Sequence, residues 1–300
     1  MISDFAGKVA VLTGAGSGFG LACARRAAAL GMKLVLVDVQ KDALDAVCNE
    51  LQATGTPVMA RRVDVSDSGQ MQALAQDVMA HWGAPHLVFN NAGVGAGGLI
   101  WENTEADWDW VLGVNLKGVV HGVRLFTPLM LAAAKADPHW QGHIVNTASI
   151  AGLLTPPNMG IYNVSKHAVV ALTETLYQDL QLVSRQIGAS VLCPYFVPTG
   201  ISASQRNRPS HLPAQTLTAS QAIGQAMSEK AVGSGKVSAE DVAQMVFDAV
   251  ASDRFYIYSH PKALGNVRLR TEAILNGHNP PDPFAERPEI GAQLRQALQG

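Results

Sequence analysis

Short runs of consecutive apolar residues, rich in Val, Ile and Leu, alternate along this 300-residue chain with longer segments whose apolar positions recur at helical spacing. The runs predict strands at 8–13, 33–38, 57–64, 86–93, 143–149, 189–194 and 254–259. The longer segments predict helices at 19–30, 40–54, 67–82, 104–134, 161–186 and 238–252, with Ser66, Asn103 and Ser238 as expected caps. Most strand runs are apolar on successive residues, which fits strands covered on both faces. The pattern therefore predicts an α/β fold: a Rossmann-type doubly wound sheet of about seven parallel strands with helices on both faces.

The alternation breaks at 200–236, a stretch rich in Ser, Ala, Gln and Gly. It follows the sixth strand, where it would overhang the carboxyl edge of the sheet at which such folds bind ligands, so a substrate lid is expected there. No linker composition interrupts the chain. Residues 1–260 are expected to form one domain and 261–300 a helical extension, with two helical stretches around Asn279-Pro280-Pro281-Asp282-Pro283.

Composition narrows the partners. A hydrophobic content of 48% suffices for a large core, while a charged fraction of 15% and a net charge of −2 supply no basic stripe for nucleic acid. Cys23, Cys48 and Cys193 are odd in number and widely spaced, which excludes a disulfide framework or structural zinc and points to a reducing cytoplasm. His139 and His143 flank a stretch broken by Pro138 and Gly142, so no metal site is expected there. No export signal is seen, and no run is expected to reach the roughly 18 apolar residues of a membrane span.

The stretch from Val9 to Leu30 reads strand, glycine loop, helix, with Gly14, Gly16, Gly18 and Gly20 at the turn. Glycines there allow positive φ and close backbone approach, so a pyrophosphate can sit on free N–H groups at the positive end of the helix. Asp38 closes the next strand 18 residues past Gly20, where an acid can bind both adenosine ribose hydroxyls and repel a 2′-phosphate. It can equally cap the helix that starts near Gln40. No Arg or Lys lies within the glycine loop and Val39 follows the acid, so NAD is expected over NADP.

With these residues assembled, the chain resembles the short-chain dehydrogenase/reductase family over about residues 5–258. The loop reads Thr13-Gly14-Ala15-Gly16-Ser17-Gly18-Phe19-Gly20, and the motif Asn90-Asn91-Ala92-Gly93 follows the fourth strand. Asp64–Val65 matches the family's adenine-side pair. Asn115, Ser149, Tyr162 and Lys166 fall in order, with 13 residues from Ser149 to Tyr162. After the sixth strand the family's Pro-Gly-x-Val-x-Thr is Pro194-Tyr195-Phe196-Val197-Pro198-Thr199, which places a large ring where glycine is usual.

The resemblance implies that Gly14, Ser17, Gly18, Phe19, Gly20, Asp38, Asp64, Val65, Asn91, Ala92, Gly93, Tyr162, Lys166, Pro194, Val197 and Thr199 bind the cofactor. Asn115, Ser149, Tyr162 and Lys166 are the implied catalytic set. A free phenol, with a pKa of about 10, is a poor base at neutral pH, so Lys166, one helical turn from Tyr162, is expected to lower its pKa. Ser149 would hydrogen-bond the substrate oxygen, and Asn115 would kink its helix and anchor a proton-relaying water. His121 and His167 are expected to be structural.

The expected substrate wall is apolar and partly aromatic: Leu99, Ile100, Trp101, Leu153, Leu154, Met159, Tyr195 and Phe196. This favours a bulky hydrophobic or aromatic secondary alcohol and its ketone. No Arg or Lys is expected on the wall unless Arg206 or Arg208 turns inward. The alternatives are an NADP-dependent ketoreductase and a non-catalytic dinucleotide-binding regulator. The resemblance also implies a homodimer or homotetramer.

Overall fold

A computed structural model describes residues 2–212 and 216–299; residues 1 and 300, and 213–215 of the expected lid, lie outside the described residues. Seven strands, β1 (Val9–Thr13), β2 (Lys33–Asp38), β3 (Val58–Arg62), β4 (Leu87–Asn90), β5 (Gly142–Thr147), β6 (Ile187–Cys193) and β7 (Tyr256–Tyr258), form one sheet. Every pairing is parallel, in the order β3-β2-β1-β4-β5-β6-β7. The order reverses between β1 and β4, and the crevice beyond their carboxyl ends is where a doubly wound sheet accepts a ligand.

The helices are α1 (Gly18–Ala29), α2 (Lys41–Ala53), α3 (Ser68–Trp82), α4 (Glu105–Leu112), α5 (Gly118–Ala136), α6 (Gly160–Val183), α7 (Ala219–Gly233), α8 (Ala239–Ser252), α9 (Leu264–Leu275) and α10 (Pro288–Gln299). The continuous apolar runs are explained by two cores, one on each face of the sheet. Ala10 and Leu12 of β1 pack with Ala24 of α1 and Val246 of α8, whereas Val9 and Val11 pack with Val78 of α3 and Phe126 of α5.

The expected 104–134 helix is α4 and α5 joined by a π-helical stretch, Gly113–Lys117, centred on Asn115. Glu105–Ala136 is thus long and apolar enough to cross a membrane by length and composition, with mean hydropathy 1.2, which corrects the expectation that no segment would be. Phe126 and Met130 bury that helix against the sheet, so its apolar character is that of a layer helix.

Two caps shift by one residue. Asp67, not Ser66, caps α3, because its carboxylate accepts both Gly69 and Gln70 N–H groups while Ser66 is engaged with Asp64. Thr104, not Asn103, caps α4 in a reciprocal pair with Asp107. Ser238 caps α8 as expected.

Candidate active site

The glycine loop is built for close approach. Gly14 has φ +66°, and a Cβ there would stand 3.0 Å from Ala92 Cα. Gly20 lies so near the loop that a Cβ would be 2.0 Å from the Gly14 carbonyl oxygen. Ser17 precedes α1 without a side-chain hydrogen bond to it, so the first-turn N–H groups face the crevice uncapped.

Asp38 ties the glycine loop to the turn that leads into α2. Its Oδ2 accepts the Gly16 N–H at 2.8 Å and its Oδ1 accepts the Gln40 N–H at 2.9 Å, which pins the carboxylate at the cavity edge with lone pairs to spare. The absence of a nearby cation is not met: Arg62 donates from Nε to the Val39 carbonyl at 3.0 Å. Adjacent β2 and β3 bring it there, a register invisible in the order of residues.

Thr13 and Asn91 tie the ends of β1 and β4 together. The Thr13 hydroxyl accepts the Asn91 and Ala92 N–H groups, and Asn91 Nδ2 donates to the Thr13 carbonyl. The structure thereby gives Thr13 a role in shaping the loop that sequence reading did not assign, although it stands at the head of the glycine motif. Asp64 is held by Ser66, whose N–H and hydroxyl both donate to its Oδ1.

At the other end of the crevice, Lys166 is 3% exposed and donates from Nζ to the Thr147 carbonyl at 2.9 Å. Its Nζ is 5.6 Å from the centre of the Tyr162 ring. Burial lowers its pKa to about 8, so it remains largely an ammonium at neutral pH. Burial pushes the Tyr162 phenol upward, and its hydrogen-bonding neighbour Ser149 partly opposes this. The direction is therefore upward, against the expected lowering: desolvation of the phenolate is the largest cause, and Lys166 is not among the groups that lower it.

Asn115 is fully buried behind this pair. Its Oδ1 accepts the Val94 N–H at 2.8 Å, and its Nδ2 donates to the Val94 carbonyl and to Ser165 Oγ. A π-helical stretch shifts backbone hydrogen bonding by one residue, consistent with the expected kink. His121 and His167 each pair through Nδ1 with a backbone carbonyl.

One cavity of about 770 Å³ gathers all the expected cofactor and catalytic residues on its wall except Gly20 and Asn115, which lie beneath it. Leu154, Met159, Tyr195 and Phe196 line it as expected. Leu99, Ile100, Trp101 and Leu153 do not: Ile100 lies against Gly160, Trp101 is 76% exposed, and Leu153 joins the core beside Val169. Tyr195 stacks tilted on Phe196, ring centres 4.4 Å apart.

The wall is also less neutral than expected, since Arg206, Arg270 and Arg295 line it. Arg270 and Arg295 belong to α9 and α10, and Phe284 and Leu269 of the same extension complete an apolar side. The only sequence signal for that return was the proline-rich Pro280–Pro283 stretch between two helices. Arg208 instead pairs with Asp107 at 2.7 Å and lies over Trp110.

The family model for short chain dehydrogenase matches residues 8–210. A CLA biosynthesis dehydrogenase/reductase from Lactiplantibacillus plantarum is 33% identical over 283 residues, covering 93% of this chain and 97% of that relative. A C alpha-dehydrogenase from Sphingobium sp. strain NBRC 103272 / SYK-6 is 29% identical over 302 residues, with 98% and 94% covered. The crystal structure of a short-chain dehydrogenase/reductase from Burkholderia phymatum in complex with NAD superposes with a TM-score of 0.91 at 54% identity, covering 94% of this chain and 99% of that one.

Proposed function

The chain belongs to the short-chain dehydrogenase family, oxidoreductases acting on alcohol groups, and on that premise we propose that it interconverts a bulky hydrophobic or aromatic secondary alcohol and its ketone with NAD. The observation that carries the reading is the placement of Ser149, Tyr162 and Lys166 on the wall of the cavity that also holds the glycine loop and Asp38.

The residues fit a dinucleotide. Uncapped N–H groups at Ser17–Phe19 suit a pyrophosphate, and the Asp38 carboxylate suits a ribose diol. Asp64 and Val65 would flank the adenine. Asn91, Ala92 and Gly93 would hold the nicotinamide ribose with Tyr162 and Lys166, and Pro194, Val197 and Thr199 the nicotinamide. When bound, the nicotinamide supplies a hydride acceptor or donor.

Tyr162 is the acid/base. With its pKa raised it is protonated at neutral pH, ready to give a proton to a ketone oxygen, and Ser149 donates a hydrogen bond to that oxygen. In the opposite direction the phenolate must form, and the Lys166 ammonium and the oxidised nicotinamide's charge both favour it. Asn115 positions α6 through Ser165 and keeps the π-helical kink.

The same reading treats 1–260 as one cofactor-binding domain in the cytoplasm, 200–236 as its lid and 261–300 as a cover that shapes the substrate site. It treats the protein as a homodimer or homotetramer without nucleic-acid, metal or membrane partners. Replacing Tyr162 with Phe is expected to retain NADH binding and to lower turnover by about 10² or more on an NAD-linked secondary-alcohol screen. Unchanged turnover would overturn the catalytic assignment. A preference for NADPH would show that Arg62 beside Val39, not Asp38, decides the cofactor.

A further inference from the structure

The segment after Thr199 crosses the mouth of the crevice as a 3-10 helix, Gly200–Asn207. It is pinned at three places. The Ser204 hydroxyl accepts the Gly95 N–H at 2.8 Å, Arg208 forms its buried ion pair with Asp107 at 2.7 Å, and Asn207 Oδ1 accepts from Gln40 Nε2 at 2.5 Å. The last contact joins residues on opposite banks of the cavity: Gln40 follows the acid-bearing end of β2, and its own N–H is held by Asp38. Gln40 and Asn207 both line the cavity.

We propose that Gln40 and Asn207 form a clasp over the adenosine half of the cofactor groove and set how slowly the dinucleotide leaves. The inference rests on the NAD reading above and extends it to two residues outside the family motifs. A molecule reaching from Asp38 to Lys166 lies under this bridge instead of in an open trough. Asn207 Nδ2 and Gln40 Oε1 have no hydrogen-bond partner among the described residues, so the pair keeps a donor and an acceptor for ribose hydroxyls beneath it.

This pin is weaker than the Arg208–Asp107 pair. A half-buried bond between two neutral amides competes with water on both sides, whereas the Arg208–Asp107 pair is shielded and charge-assisted. Opening it frees the adenosine end while Ser204 and Arg208 still hold the rest of the strap. The clasp is thus the step that limits departure of the adenosine half.

The test preloads the protein with NADH, chases with excess NAD⁺ and follows the loss of bound NADH fluorescence. Gln40→Ala and Asn207→Ala are each expected to speed release by about three- to tenfold. The double variant should be no faster than either single one, because both remove the same bond. Asn207→Asp keeps the acceptor oxygen and should release NADH at the wild-type rate or more slowly. Thermal midpoints of all four are expected to match the wild type, separating a lost clasp from a damaged fold. Wild-type release from both alanine variants, or additive acceleration in the double variant, would overturn the clasp. Failure of wild-type protein to bind NADH, or tighter binding of NADPH, would overturn the cofactor reading on which it rests.

Discussion

Gly122 of α5 faces Asn90 at the end of β4, and a Cβ built there would stand 1.9 Å from Asn90 Oδ1. Asn90 has nowhere to go. Its Nδ2 donates to Asn146 Oδ1, Asn146 donates to Thr173, and Thr173 donates to the Val169 carbonyl, a buried chain linking β4, β5 and α6. Gly122→Ala is therefore expected to destabilise the protein by about 3 kcal/mol or more, read as a fall in the urea midpoint at constant slope. A variant as stable as the wild type would mean that the Asn90 chain can rearrange. At this scale, the sequence exposed Tyr162 and Lys166 through their spacing, because one helical turn places both on the same face. It did not expose the direction of the Tyr162 shift, which depends on how deeply neighbouring elements bury the ring.

Among the elements, α7 shows how a segment of irregular composition acquires a fixed position. Ser220, at its first turn, accepts the Leu99 N–H at 2.9 Å and donates to Glu102 Oε2 at 2.6 Å, while Asn158 donates to the Ser220 carbonyl. The Gly97 and Gly224 backbones meet closely enough that a Cβ on Gly97 would lie 3.1 Å from Gly224 Cα. Ser220→Ala leaves the Leu99 N–H without its partner, at a local cost of about 1–3 kcal/mol. Limited proteolysis should then cut more rapidly near α7 while the global unfolding midpoint stays nearly unchanged. Equal proteolysis rates would show that α7 is held by packing alone. Sequence periodicity found the regular helices to within a few residues. It read 200–236 as a lid without placing a helix in it, because the contacts that order α7 come from residues more than 60 positions away.

Across the whole molecule, two histidines link folding to pH. His143 on β5 is fully buried with Nε2 2.7 Å from Ser190 Oγ, and because Ser190 donates its proton to the Arg254 carbonyl, Nε2 carries the histidine hydrogen. Nδ1 then has no hydrogen-bond partner among the described residues; Asp253 is 3.9 Å away, too distant to offset the burial. Desolvation lowers the His143 pKa to about 3 and the His86 pKa to about 4. Both values are depressed, so the unfolded chain takes up protons first as pH falls below about 6.5. The associated stability is complete above that pH and is progressively lost toward the folded values. His143 alone should remove about 2 kcal/mol between pH 7.5 and pH 5, measured by urea unfolding. This window lies above the ordinary carboxylate range, and a flat profile across it would refute the assignment of His143 as a buried neutral group.

The sequence alone determined the alternation of strands and helices, the glycine turn, the acid after the second strand and the order of Ser149, Tyr162 and Lys166. Those features depend on periodicity and on short spacings that survive without knowledge of the fold. The tertiary structure decided which side chains share a wall. It turned Trp101 outward, brought Arg270 and Arg295 to the cavity, and placed Gln40 against Asn207 across 167 residues of chain. Such encounters arise from the packing of layers and the return of the extension, where local pattern carries no record of the distant partner.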